Sequence, residues 1–183
     1  MTEASRRWLL SRIDRRCREA VDEVLTAVSE HLAIATADAV TIRVLAADDR
    51  ALHPITAYHP IAWRGAAMAE AMRQTVQPVD TGLWQPVITT GRARRHTMGP
   101  GAIPEEASEA QQEFLRKHPV RAVLAAPVLA EGRVIGGVSV VRFGVDQPFT
   151  DEDEALVTEA TLRIAPALEL QRVLDEAEVS LDL

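Results

Sequence analysis

Apolar residues recur at spacings of three and four from about Ala4 to Ala35. Leu10, Ile13, Cys17, Ala20, Val24 and Ala27 make the seam of a coiled coil, and Val21, Leu25, Val28 and Leu32 widen the stripe. No proline or glycine interrupts the run. The pattern predicts one long helix with one face for the domain and the other for a partner helix. The period then falls to two. In ADAVTIRVLAADD, Val40, Ile42 and Val44 point one way and Thr41 and Arg43 the other, which predicts a half-buried strand. The turn Ala47-Asp48-Asp49-Arg50 leads into ALHPITAYHP, the second strand of a hairpin. Pro54 has no N–H to give a ladder, so it belongs at an edge or a bulge.

Ile61 to Val76 carries helix formers and Met68 and Met72 at i, i+4, and predicts a helix that ends before Pro78. Asp80-Thr81-Gly82 is a turn. GLWQPVITT predicts a short helix stopped by Gly91, and ARRHTM a short strand. GPGAIPEE is a loop, followed by a helix from Ser108 to Lys117 with Ser108 as N-cap. Val120–Leu129 and Arg133–Arg142 are two β-prone runs joined by Ala130-Glu131-Gly132, a second hairpin. Thr150 starts a last helix, with Asp153 in the place of the capping-box acid and Ala155, Leu156, Ala160, Ile164, Ala167 and Leu168 along one face. Pro166 should kink that helix or end its first half.

Hairpins pair antiparallel, and the flanking helices cover a sheet face, so the fold class is α+β: a central antiparallel β-sheet flanked by helices, with long helices at both ends. The expected organisation is a dimerisation helix over residues 1–36, a domain over 37–174 and a tail over 175–183.

Two stretches carry a family resemblance. VRAVLAAPVLAEGRVIGGVSVVRFGVDQPFTDEDEALV has a strand ending in a small residue and proline, a glycine turn, a strand through Ile-Gly, a loop, and then Pro-Phe-Thr before an acidic helix start. GLWQPVITTGRARR is a Gly-led helix that ends in Thr-Gly before a strand. In this order and spacing they resemble the GAF domain family, over about Ala20 to Leu174. The resemblance implies a ligand-sized pocket on one sheet face and dimerising helices on the other. It implies a sensory or regulatory module working with a kinase, a phosphatase or another output domain. It also implies that the middle element borders the pocket.

Composition narrows the setting. The chain has 183 residues, 47% hydrophobic and 26% charged, with a net charge of −7, which suits one globular domain and disfavours a general nucleic-acid binder or an anionic-membrane binder. Its one cysteine, Cys17, excludes an internal disulfide and a cysteine-cluster metal site. No apolar run is long enough to span a bilayer, and a cytoplasmic setting is expected.

The candidate chemistry is sparse. Gly136-Gly137 lies between β-prone runs with no helix start behind it, so it reads as strand glycine and not as a phosphate loop. Trp63 is read as covering the pocket mouth, against the alternative of core or lid packing. Trp84, Arg94 and His96 are candidate ligand contacts, Arg94 and His96 sharing one strand face, against the alternative of a solvated arginine edge. His118, in KHPVRAVLAAPV, is either a surface histidine ending a helix or, by resemblance to haem-binding members of the family, an iron ligand. Cys17 reads as a buried small hydrophobe, and His53 and His59 have no metal-site spacing. The acid pairs read as solvated or capping groups, no catalytic signature stands in context, and a non-enzymatic role is expected. The ligand is a small molecule of open identity, with a haem-based gas or redox sensor and a ligand-free dimerisation module as alternatives.

Overall fold

The computed structural model describes residues 3–99, 101–105, 107, 109–143 and 147–181; the side chains of residues 3, 4, 62–64, 67, 68, 110, 111 and 178–181 lie outside that description. The elements in order are α1 (Glu3–Thr36), β1 (Ala39–Leu45), β2 (Ala51–Tyr58), α2 (Ala62–Gln74), β3 (Gln77–Pro78), a 3-10 turn (Gly82–Trp84), α3 (Gln85–Thr90), β4 (Arg94–Thr97), α4 (Glu109–Lys117), β5 (Val120–Ala130), β6 (Arg133–Phe143) and α5 (Asp151–Leu181). The strands form one six-stranded sheet in the order β3-β2-β1-β6-β5-β4. Every neighbouring pair is antiparallel. The α+β architecture and the two long terminal helices are as the sequence predicts. The N-cap expected at Ser108 lies outside the described residues.

Local chemistry sets the turns. The β5–β6 hairpin turns on Glu131 and Gly132, both at positive φ (51° and 78°), as a two-residue loop needs to match the strand twist. Gly91 ends α3 in the left-handed conformation. β1 and β2 slip register between Ile42 and Arg43, which skips Ile55 and sets Pro54 beside the bulge. Thr150 and Asp153 form a reciprocal cap at the start of α5: the Thr150 N–H donates to Asp153 Oδ2 at 2.8 Å and the Asp153 N–H to Thr150 Oγ1 at 3.2 Å.

One layer of the core lies between the sheet and the terminal helices. Val21, Leu25, Leu32 and Ala33 of α1 and Val157, Ile164 and Leu168 of α5 close over Val40, Ile42, Leu124, Ala126, Val138 and Val140. The buried stripe of α5 therefore runs through Val157, Thr161, Ile164 and Leu168, while Ala155 and Leu156 face out. Pro166 does not end α5, which continues to Leu181. On the opposite face, Met72 of α2 and Leu115 of α4 pack over Ala39, Val123 and Val141, and Trp84 and Val87 pack over Leu45, Leu52 and Ala125. With both faces covered, all seven residues of β1 are buried. The half-solvated strand that alternation predicts is a fully covered one.

Arg142 fastens the sheet to the start of α5. Its Nη2 and Nε donate to the Asp38 carboxylate at 2.8 and 3.0 Å, its Nη1 donates to the Gln147 and Pro148 carbonyls at 3.0 and 3.2 Å, and it stacks 4.1 Å above the Phe149 ring.

The glycine pair of β6 is where both layers come closest. A Cβ on Gly136 would stand 2.3 Å from the Arg43 carbonyl oxygen and 2.4 Å from Leu168 Cδ2; one on Gly137 would stand 2.4 Å from the Trp84 ring. Gly136→Ala meets a backbone carbonyl that cannot swing aside. It should lower unfolding free energy in urea by about 1–3 kcal/mol, the usual cost of overpacking, whereas a wild-type midpoint would show that α5 and β1 have room to move.

Candidate functional site

A cavity of about 70 Å³ lies beneath the second layer. Arg43, Ser139, Val141, Val123 and Ala125 of the sheet form its floor. Met72 and Thr75 at the end of α2, Gln77 of β3, Leu83 and Trp84, and Phe114 and Leu115 of α4 form its walls. Most of this lining is apolar, and none of it is acidic.

Arg43 dominates the electrostatics. It is 4% exposed. Its Nη1 donates to the Thr75 carbonyl, and its Nη2 to the Met72 carbonyl at 3.4 Å. Both acceptors lie at the C-terminal end of α2, where the last carbonyls have no partner one turn on; the Met72 carbonyl also accepts the Thr75 N–H at 3.3 Å. Arg43 Nε has no hydrogen-bond partner, and neither has Gln77 Oε1 nor Thr41 Oγ1. No ion pair involves Arg43 among the described residues. Burial lowers the guanidinium pKa from its ordinary value to about 10, so at neutral pH it keeps its proton and its charge.

The residues singled out in the sequence fall in different places. Trp84 is buried and lines the cavity. Arg94 and His96 pair across the ladder with Ala125 and Val123, which puts them on the cavity's side of the sheet, but on its edge strand and outside the lining. Arg95 faces the other layer and joins Asp151 and Glu154 of α5, each at 2.9 Å. The side chain of Trp63 lies outside the described residues. His118 lies in a neighbouring groove of about 440 Å³, lined also by Thr75, Val76, Glu113, Phe114 and Lys117. Thr75 and Phe114 line both the groove and the cavity. The His118 ring stacks on Phe114 with centroids 4.9 Å apart.

These surroundings do not fit a haem. The cavity of about 70 Å³ holds only about five water molecules by the usual allowance, and the groove that holds His118 is lined by Gln74, Glu113 and Lys117 beside its apolar residues, not by the apolar box that a haem needs. Among the described residues, no group of three or more His, Cys, Asp or Glu side chains is arranged to hold a metal. Arg43, Gln77 and Ser139 are the residues that alternation hides. A legible signal was present nonetheless: Ala39, Thr41 and Leu45, which share Arg43's face of β1, are small or apolar, unlike a solvated strand face.

The GAF domain family profile matches residues 15–169, and the chain belongs to that family, whose members are in general small-molecule-binding sensory or regulatory domains. Among solved structures, the chain is similar to the GAF domain/HD domain protein of Geobacter sulfurreducens, at 21% identity and a TM-score of 0.67, over 82% of this chain and 94% of that one. It is similar to the second GAF domain of DevS from Mycobacterium smegmatis, at 17% identity and a TM-score of 0.61, over 86% and 99%. It is also similar to a type II free methionine-R-sulfoxide reductase of Thermoplasma acidophilum, at 15% identity and a TM-score of 0.61, over 83% and 94%. A comparison with curated proteins finds no match. GAF domains are generally regulatory rather than catalytic, the reductase being a neighbour of the other kind. Among the described residues, no helix is long and apolar enough to cross a membrane.

Burial, and then the charge of Lys117, lowers the His118 pKa below 6.5. Between that depressed value and the unfolded 6.5 the unfolded chain holds more protons, so stability falls as pH drops through 6.5 and levels off below the folded value. Urea denaturation of wild type and His118→Phe between pH 7.5 and 5 should show part of the wild-type loss missing in the variant; parallel pH curves would contradict this placement of the ring.

Proposed function

We propose that this chain is a sensory domain that takes a small molecule into the cavity under Trp84 and Phe114 and passes its occupancy to the terminal helices. The observation that carries the reading is the lined cavity with unpaired, buried polar atoms. An apolar side-chain plug would leave no such atoms, and each one costs about 1–3 kcal/mol when unmatched. This weighs against a ligand-free assembly module. The cavity's size and the position of His118 weigh against the haem reading.

The proposed route of transmission is β6. Gly137 lies under Trp84 on the cavity face and Gly136 under Leu168 of α5 on the other, so a ligand that moves Trp84 presses on the strand that supports the output helix. A ligand shifts such an equilibrium only by its difference in affinity for the two arrangements. The expected division is a dimerisation helix over residues 1–36, a ligand domain over 37–174 and a short tail, working beside an output domain such as a kinase or phosphatase.

Dimerisation is supported by apolar surface left on the helices. Trp8, Leu10, Ile13 and Val24 of α1 and Leu162, Leu170 and Val173 of α5 are exposed, Trp8 by 60% and Leu162 by 66%. The two helices are tied together by Arg18, which donates to Asp175 Oδ1 and the Leu174 carbonyl, both at 2.8 Å.

Sedimentation should give a dimer at micromolar concentration, and Leu10→Asp with Ile13→Asp should give a folded monomer; a monomeric wild type would end the dimer claim. A thermal-shift screen over several hundred small metabolites should yield at least one stabiliser, worth about 2.7 kcal/mol at a hundredfold excess over Kd. A silent screen would favour the assembly module.

A further inference from the structure

We propose that the cavity takes a small organic anion, a short-chain carboxylate with an apolar tail, whose carboxylate pairs with Arg43. This rests on the sensor reading and names the ligand class for the same cavity.

The argument starts from charge. A guanidinium has five N–H donors and a full positive charge. Arg43 is buried, and the two carbonyls that it binds, those of Met72 and Thr75, are neutral. They satisfy donors and, among the described residues, leave the charge with no counter-ion, Nε with no acceptor and the lining with no acid. A buried charge without a partner carries a penalty of several kcal/mol. Carboxylates and phosphates meet a guanidinium fork with paired hydrogen bonds, and the small, mostly apolar lining favours the singly charged carboxylate. Ordinary structural burial of an arginine looks different in this same chain: Arg142, equally enclosed, has the Asp38 carboxylate against it at 2.8 Å.

The remaining lining fixes the rest of the ligand. Gln77 is 4% exposed and lines the cavity with its Oε1 unpaired, which offers an acceptor for a hydroxyl or amide hydrogen. Leu83, Trp84 and Phe114 make the other walls apolar, over Val123 of the floor, so the body of the ligand is hydrocarbon. Room for about five waters in about 70 Å³ limits it to a short chain. An amine finds no carboxylate there, and a nucleotide is too large. The adjoining groove brings Lys117 and His118 close to the shared wall of Thr75 and Phe114, although Glu113 pairs with Lys117 at 2.7 Å. That groove is the proposed way in.

The test is calorimetric titration of the whole chain with butyrate, isovalerate and 2-hydroxyisovalerate, each beside its uncharged amide, and with isobutylamine. The expected result is binding of at least one carboxylate at least tenfold tighter than its amide, no binding of the amine, and loss of that preference in Arg43→Met. If Arg43→Met does not fold, Arg43→Lys carries the test: it keeps the charge but not the fork, and should bind at least tenfold more weakly with an unchanged circular dichroism spectrum. Amides that bind as well as acids would overturn the anion inference and leave the sensor reading standing. A panel silent throughout would also overturn it, and the sensor reading falls with it only if the wide metabolite screen is silent too. A role for Arg43 in closing α2 alone predicts a less stable variant and no preference for acids over amides in wild type.

Discussion

A guanidinium enclosed in the middle of a sheet that is covered on both faces is the constraint around which the rest of this molecule is arranged. β1 lies between β2 and β6 with α1 and α5 over one face and α2, Trp84 and α4 over the other. Arg43 is therefore only 4% exposed, and burial draws its pKa down to about 10. The end of α2 supplies two carbonyls, the cavity supplies the space beside them, and no acid among the described residues supplies the counter-charge. A domain built only for stability would replace such a group with a hydrocarbon of similar volume at little or no loss. Here the energetic shortfall sits at the cavity, where a ligand can make it good.

The same close packing is the proposed mechanical outlet of the site. Side chains alternate across a strand, so neighbouring residues of β6 report to opposite layers. The glycines at 136 and 137 let Leu168 and Trp84 approach the backbone from the two sides within the space of one side chain. Close-packed interiors transmit displacement because they have few voids to absorb it. The phosphate-loop reading of the glycine pair fails for a reason that is itself structural: these residues are glycine because two layers meet there.

Elements with one covered face or a clear stop were legible in the sequence. The hairpin turn at Glu131-Gly132, the stop at Gly91, the cap at Thr150 and the bulge by Pro54 each follow from a local backbone requirement, and each is found. The acid at 153 completes the reciprocal cap as a Glu would. Where both faces are covered, alternation misleads. Thr41 and Arg43 look solvated by period and are buried, because α2 and α4 come from other segments to cover that face, and nothing in the pattern of β1 itself announces the cover. For α5, helical spacing fits the Leu156 stripe and the Val157 stripe almost equally well, and only packing on the sheet selects the second. Trp84 was within reach because a Gly-led helix before a strand marks the middle element. Gln77 was not, since a lone glutamine before a proline carries no period. The chain's membership of the GAF family fixes the fold and the general role of such domains, and the ligand class rests on this chain's own cavity.

The most direct test of the account is the Arg43 Nε–H resonance in a ¹⁵N-labelled sample, identified by its absence in Arg43→Lys. The account predicts a slowly exchanging proton in the free protein, as burial requires, that moves downfield on saturation with a short-chain carboxylate and stays put with the matching amide. A rapidly exchanging proton, or one indifferent to a carboxylate that demonstrably binds, would contradict it.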